Sequence, residues 1–206
     1  CNERKQCCCL LQANAGFTDC VAVITAVNAP EQLFGLNNAI MLVYAFASAP
    51  YATLLVHASV VRNNEKGYLF LGRSGTGKST HSSLWLKYIP DTWLLNDDNP
   101  IVRFEDGQAY IYGSPWSGKT PCYKNESAPV GGIIKLSQAP ENKIQTISLP
   151  QAYAYMLSSA SGLKMEQTMA DNMFETIKHI ITHILCYHLA CLPNEEAARV
   201  CWAGVQ

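Results

Sequence analysis

An octapeptide with the pattern of a phosphate-binding loop constrains this chain more than any other feature. It reads Gly-Arg-Ser-Gly-Thr-Gly-Lys-Ser over residues 72–79 and matches G-x-x-x-x-G-K-[ST] throughout. The apolar segment 67–71 before it predicts a strand, and the segment 80–87 after it has helical spacing. Glycines let successive backbone N–H groups turn toward phosphate oxygens, and the helix start adds the positive end of its dipole. The pattern therefore predicts that the chain binds a nucleoside triphosphate.

The last residues of the loop have individual expected roles. Lys78 is expected to reach the β- and γ-phosphates, and the Ser79 hydroxyl is expected to ligate the Mg²⁺ that bridges them. ATP and Mg²⁺ are thus the expected cofactors. The alternative is a glycine-rich turn between a strand and a helix, without a ligand. The candidate nucleotide-binding residues are Gly72, Arg73, Ser74, Gly75, Thr76, Gly77, Lys78, Ser79 and Thr80.

Length and charge limit the classes of protein to which the chain can belong. Its 206 residues suit one domain with a small appendage and are enough for a hydrophobic core. The charged fraction is 15% and the net charge is −1, with lysine and arginine scattered along the sequence. A nucleic-acid partner is not expected, because no basic surface is indicated.

The nine cysteines indicate neither a metal site nor a redox motif. They form no C-x-x-C pair, so we expect reduced thiols that behave as small apolar residues. Reduced thiols and the use of ATP favour a cytoplasmic location. The chain begins at Cys1 without methionine, which we interpret as a truncated or incompletely represented N-terminus.

One uncharged segment is long enough to be mistaken for a membrane span. It covers 23 residues, 39–61, but Pro50 interrupts it. Residues 36–46 have helical character, whereas residues 54–61 are β-branched and strand-like. We expect a buried helix followed by a buried strand, and no membrane partner.

The order of the remaining elements predicts the fold class. Residues 1–28 are expected to form an N-terminal extension with one or two short strands, and residues 29–206 the main domain. Asp106-Gly107 lies between two apolar runs and predicts a β-hairpin. Antiparallel strands around the phosphate loop favour an α/β protein with a mixed sheet. Further expected elements are helices over 29–48, 149–159, 166–185 and from 194, and strands over 131–136 and 186–192.

Two adjacent carboxylates follow the loop at a distance that suits catalysis. Asp97 and Asp98 end a short apolar run and are separated from Lys78 by 18 residues, enough for one helix and one returning strand. One carboxylate can hold Mg²⁺ while the other takes the proton of an attacking hydroxyl. The alternative is a turn before Asn99-Pro100, where aspartate and asparagine are common.

Three further sets of residues give weaker evidence of a functional role. His57 lies in the apolar run before the phosphate-loop strand, where a lone histidine is more often a core residue. Residues 113–119 form either a simple loop or one whose amides and Lys119 contact phosphate or substrate. His179 and His183 share a helix face but have no third ligand, so a core or surface position is favoured over a metal site.

Taken together, these motifs resemble the catalytic domain of HPr kinase/phosphorylase. The resemblance rests on His57-Ala58-Ser59, on the G-x-S-G-x-G-K-S loop and on Leu94-Leu95-Asn96-Asp97-Asp98. The loop is also similar to the G-T-G-K-[ST]-T loop of ATP-dependent phosphoenolpyruvate carboxykinase. Residues 113–118 resemble the G-x-P-W-x-G stretch of HPr-kinase-related proteins whose substrate is uncharacterised.

The resemblance implies a phosphoenolpyruvate-carboxykinase-like P-loop domain with a mixed sheet. It implies an ATP-dependent kinase that phosphorylates a protein serine or a small molecule. Asp97 is then the base for the acceptor hydroxyl, Asp98 joins Ser79 at the metal, and His57 and Lys119 lie around the transferred group.

The sequence also departs from that family and leaves rival functions open. HPr kinase has glutamate where this chain has Thr80, and its Arg-Gly-Leu-Gly segment is not visible here. Phosphorylase activity and HPr as substrate are therefore not expected. The rivals are carboxykinase activity on oxaloacetate and an ATP-binding regulatory module without transfer. The phosphate acceptor is not identified, and a homo-oligomer is one option for the assembly.

Overall fold

The structure is a computed structural model that describes residues 6–118, 120–162 and 166–206. These residues form twelve strands, five α-helices and one short 3-10 helix. The strands are β1 (Cys9–Ala13), β2 (Cys20–Ile24), β3 (Thr53–Val56), β4 (Ala58–Asn63), β5 (Lys66–Leu71), β6 (Thr92–Asp98), β7 (Ile101–Glu105), β8 (Gln108–Tyr112), β9 (Ser127–Gln138), β10 (Lys143–Thr146), β11 (Ala160–Ser161) and β12 (Cys186–Cys191). The helices are α1 (Ala29–Ala47), the 3-10 helix (Ala49–Tyr51), α2 (Lys78–Tyr88), α3 (Leu149–Ser159), α4 (Gln167–His183) and α5 (Glu195–Gly204).

Ten of the strands form one mixed sheet. Its order is β11-β3-β7-β8-β9-β5-β4-β6, and β12 joins β9 on one side and β10 on the other. β5 and β12 run parallel to β9, whereas the remaining pairs are antiparallel. The predicted fold class, an α/β protein with a mixed sheet around a P-loop, is confirmed.

Helices cover both faces of the central strands. Leu69 and Leu71 of β5 pack in a core cluster with side chains of α3 and α4. Tyr68 and Phe70 of the same strand pack in a second cluster with side chains of α2 and α5. Successive side chains of a strand point to opposite faces, so a strand between two helical layers needs an unbroken apolar run. The run before the phosphate loop meets that requirement.

Several elements follow directly from local sequence signals. Asn194 caps α5, because its Oδ1 accepts a hydrogen bond from the Ala197 N–H at 3.0 Å. Asp106 and Gly107 have φ values of 51° and 77°, which the two-residue turn between β7 and β8 requires. The predicted helix over 149–159 matches α3 to the residue. β9 is longer than the strand predicted over 131–136, and the edge strand β10 was not predicted.

The predicted strand over 54–61 is divided at His57. β3 pairs with β7, whereas β4 pairs with β5 and β6. Where the two strands join, the Val56 N–H at the end of β3 donates to the Pro100 carbonyl at 3.0 Å, and the His57 N–H donates to the Ser159 carbonyl at 2.8 Å. Both β3 and β4 are buried, so their residues form one continuous apolar run in the sequence. That run therefore gives no sign that the chain changes its pairing strands at His57.

The N-terminal segment forms a separate two-stranded sheet, β1 with β2, that packs on α1. The approach is close at Gly35, where an added Cβ would lie 2.9 Å from the Cys8 carbonyl oxygen. The division into residues 1–28 and 29–206 remains a prediction. No described helix is both long and apolar enough to cross a membrane.

Candidate functional site

Three chain segments meet at one edge of the sheet. β4 lies between β5 and β6 and is antiparallel to both, so β5 and β6 run in the same direction. Ala58 at the start of β4 is opposite Leu71 at the end of β5 and Asp98 at the end of β6. The strand order therefore places the phosphate loop, the two carboxylates and His57 side by side, although they are far apart in the sequence.

The phosphate loop has the backbone conformation that its glycines permit. Gly75 and Gly77 have φ values of 80° and 106°, in the left-handed region that favours glycine. α2 begins immediately afterwards at Lys78, and no side chain caps its N-terminus. Its first N–H groups are thus available to an anion at this end of the helix.

Lys78 is held in place inside the site. The residue is only 9% exposed, its Nζ donates to the Gly72 carbonyl at 3.0 Å, and it lies 2.9 Å from His57 Nε2. Burial lowers the pKa of Lys78, and the charge of Asp98 opposes that shift. A lysine positioned in this way can bind phosphate oxygens with little further ordering.

His57 bridges Lys78 and Asp98. Its Nδ1 lies 3.2 Å from Asp98 Oδ1, and Asn99 Nδ2 donates to Asp98 Oδ2 at 2.7 Å. An ionised carboxylate only accepts hydrogen bonds, so Nδ1 donates to Asp98 and Nε2 is left to accept from Lys78. Asp98 therefore fixes both the tautomer and the orientation of the imidazole.

Asp97 occupies a different environment from its neighbour. It is 5% exposed, and its Oδ1 accepts a hydrogen bond from Ser59 Oγ at 2.8 Å. The Ser59 hydroxyl in turn lies 2.6 Å from Ser82 Oγ of α2. No role was predicted for Ser59, yet its position on β4, two residues after His57, places it opposite Asp97.

The loop after β8 closes the site from the side of β6. Gly118 N–H donates to the Asp97 carbonyl at 3.1 Å, and Ser117 forms an isolated β-bridge with Asp98. Trp116 is buried against Tyr44 of α1, with ring centroids 5.5 Å apart. The predicted contact of Lys119 lies outside the described residues and stays a prediction.

A cavity of about 410 Å³ connects these groups. Nine of the candidate site residues predicted from the sequence line this cavity. Three candidate residues of the phosphate loop, Gly72, Arg73 and Thr76, do not line it. His179 and His183 also lie elsewhere, where both rings contact Phe104. The lining residues are His57, Ala58, Ser59, Ser74, Gly75, Gly77, Lys78, Ser79, Thr80, Asp97, Asp98 and Gly118.

The cavity offers oxygen donors that suit Mg²⁺. Its described residues do not offer enough protein ligands to hold a metal ion without help from phosphate or water. Among the described residues no group of three or more histidine, cysteine, aspartate or glutamate side chains could hold a metal ion. Mg²⁺ usually takes one or two protein oxygens and completes its shell with phosphate and water. The Ser79 hydroxyl and the Asp98 carboxylate are oxygen donors on the same cavity and fit that use.

Comparison with known proteins places the chain in a family. The model of the family described as "SynChlorMet cassette protein ScmC" matches residues 20–192, well over half of the sequence. The chain belongs to the ScmC family. The match includes the phosphate loop, both carboxylates and His57. No curated protein matches the chain.

A solved structure similar to this ScmC-family chain is the Hpr(Ser) kinase/phosphatase from Coxiella burnetii. The two sequences are 13% identical, the alignment covers 72% of this chain and 91% of that one, and the TM-score is 0.41. Membership of the HPr kinase family thus stays a resemblance.

Proposed function

We propose that the chain is an ATP- and Mg²⁺-dependent phosphotransferase that phosphorylates a hydroxyl group. One observation supports this assignment above the others. A phosphate loop with its lysine, a hydroxyl ligand for Mg²⁺ and two carboxylates in different environments all line one cavity. Phosphoryl transfer needs mainly the positioning of reactants and the neutralisation of charge, and this set of groups supplies both.

The residues have separate roles in the proposed reaction. The loop N–H groups and Lys78 bind the phosphate oxygens and stabilise the charge on the transferred group. Ser79 and Asp98 hold Mg²⁺, which neutralises phosphate charge when bound. Asp97 accepts the proton of the acceptor hydroxyl as general base, with Ser59 fixing one of its oxygens. His57 keeps Lys78 and Asp98 in position.

Measurement of phosphate transfer tests the proposal and its rivals. The protein is incubated with γ-labelled ATP, Mg²⁺ and a lysate of its source, and the label is traced to protein, metabolite or water. A coupled assay for phosphoenolpyruvate tests the carboxykinase alternative. Label that stays in ATP with every acceptor would favour an ATP-binding module without transfer and contradict the proposal.

Two substitutions separate binding from transfer. Lys78→Ala should abolish nucleotide binding, because the principal cation of the loop is removed. Asp97→Asn should retain binding and lower the transfer rate by about 100-fold or more, the contribution typical of a general base. Nucleotide affinity is measured by calorimetry and the rate by label transfer. Unchanged turnover in Asp97→Asn would show that the assigned base is wrong.

A further inference from the structure

A second cavity adjoins the phosphate loop on the opposite side from the carboxylates. Its volume is about 480 Å³, and it shares Gly75, Gly77 and Thr80 with the first cavity. The phosphate loop therefore forms the boundary between two cavities. One contains Lys78 and both carboxylates, and the other extends along α2 toward the ends of β9 and β12.

The walls of the second cavity are mainly apolar. Leu84 of α2 and Leu136 of β9 line it together with residues just beyond β12. None of its described lining residues is an aspartate, glutamate, lysine or arginine. The complete lining is Gly75, Thr76, Gly77, Thr80, His81, Leu84, Leu136, Gln138, Ala139, Cys191, Leu192 and Pro193.

We propose that this cavity binds the base and ribose of a purine nucleotide. The inference rests on the proposed function, in which the loop holds the phosphates and the γ-phosphoryl group faces Lys78 and Asp97. The nucleoside at the other end of the ligand must then leave the loop on the opposite side, where this cavity begins. Its volume lies in the range of small-molecule sites, and apolar walls suit the faces of an aromatic base.

His81 provides a buried hydrogen-bond donor in the wall of this cavity. Its Nε2 lies 3.1 Å from the indole Nε1–H of Trp85, which can only donate, so the proton of the neutral ring is on Nδ1. Burial lowers the pKa of His81 to about 4, so the ring is neutral at physiological pH. Within the described residues Nδ1 has no hydrogen-bond partner. Every nucleobase carries acceptor atoms that could satisfy this donor, so the expected preference for a purine rests on the larger face that it places against the apolar walls.

The same walls predict weak discrimination between adenine and guanine. Strong discrimination requires hydrogen-bonding groups that are left unpaired by the wrong base. A carboxylate would be the natural partner for the donor groups of guanine, and the described walls contain none. Gln138 is a polar candidate, and its Nε2 lies within 3.4 Å of the Gly75 carbonyl oxygen. We therefore expect ATP and GTP to bind with similar affinity.

Calorimetry with nucleotides and with a ligand that lacks a base tests the inference. The probes are ADP, GDP, CDP and inorganic tripolyphosphate, each with Mg²⁺. ADP and GDP should bind within about tenfold of each other, while CDP and tripolyphosphate should bind about tenfold or more weakly, because they place a smaller apolar face, or none, against the walls. Equal affinities for ADP, CDP and tripolyphosphate would overturn the inference.

A substitution that fills the cavity gives a second test. Leu192→Trp should weaken ADP binding by about tenfold or more and leave tripolyphosphate binding unchanged, since only the nucleoside is obstructed. Leu86→Trp is the matched control, because Leu86 is 40% exposed, as against 37% for Leu192, but does not line the cavity. Leu192→Ala, which cannot obstruct the loop, should reduce ADP affinity selectively to a smaller extent.

The outcomes separate the inference from the proposed function. If neither Leu192 variant changes ADP affinity while Lys78→Ala abolishes it, the base lies elsewhere and the phosphate site stands. If both Leu192 variants weaken ADP and tripolyphosphate equally, the effect is on the loop and the inference is overturned. If the native protein binds neither ligand, the proposed function itself is contradicted.

Discussion

At the scale of single residues, the two adjacent carboxylates differ in their surroundings. Asp97 is 5% exposed and bonded to Ser59, whereas the side chain of Asp98 is 37% exposed and contacts His57. Adjacent strand residues point to opposite faces, so one sequence pair yields two environments. The buried carboxylate depends on the hydroxyl beside it, because an ionised group in the interior needs hydrogen bonds.

We therefore expect Ser59→Ala to impair transfer without impairing nucleotide binding. Loss of a hydrogen bond to a buried charge is typically worth about 1.5–3 kcal/mol, or roughly 10- to 100-fold if it acts on the transition state. The expected result is a lower kcat with an unchanged KM for ATP.

Steady-state kinetics of Ser59→Ala are compared with those of Ser83→Ala. The Ser83 hydroxyl donates to the Ser79 carbonyl on the exposed side of α2 and should be dispensable. Equal activity in the two variants would show that Ser59 does not position Asp97.

At the scale of elements, the loop after β8 and the end of β6 form one unit. Gly118 contacts the backbone of Asp97, and Asn96 Nδ2 donates to Ser114 Oγ at 3.1 Å. The buried Trp116 links this loop to α1. The position of the carboxylates thus depends on a loop that follows them by about twenty residues.

We expect Gly118→Ala to displace this loop and reduce activity. An added Cβ would lie 2.5 Å from the Asp97 carbonyl oxygen, which belongs to the backbone and cannot rotate away. The strain should cost about 1–3 kcal/mol of stability, as for other overpacked sites. Thermal unfolding and label transfer measure the two effects.

Gly16→Ala serves as the matched control for Gly118→Ala. The closest atom to its added Cβ is Thr18 Cγ2 at 3.8 Å, an ordinary contact distance. If Gly118→Ala were as stable and as active as Gly16→Ala, the close packing of the loop on β6 would be contradicted.

At the scale of the whole molecule, the N-terminal hairpin and α1 expose many apolar side chains. Val21, Val23 and Leu33 are among them. The hairpin makes its own two-stranded sheet and is not part of the ten-stranded one. A two-stranded sheet alone is marginal in water, so its order depends on α1. A homo-oligomer remains a prediction that this surface does not decide.

Removal of residues 1–28 should leave the main domain folded and able to bind nucleotide. The hairpin packs on α1 at the periphery, and residues of the two cavities at the phosphate loop all lie beyond it. We expect ADP affinity to change by less than about threefold, or under 1 kcal/mol. Calorimetry on the shortened chain checks this, with Lys78→Ala in the same chain as the control. An unfolded product, or one that no longer binds ADP, would contradict the predicted division.

The sequence by itself determined the parts of this protein whose signals are local. The phosphate loop, the Asp106-Gly107 turn, the Asn194 cap and α3 depend on residues close in sequence, whose backbone preferences act in any context. The adjacent carboxylates at the end of a strand could be predicted for the same reason.

Only the tertiary structure decided which distant groups meet. The division of the strand at His57, the hydrogen bond from Ser59 to Asp97 and the apolar cavity beside the loop all depend on strand order and on packing between separate elements. A run of apolar residues reports that a strand is buried, but it carries no information about its neighbours. The sequence therefore located the phosphate loop, and the fold determined what surrounds it.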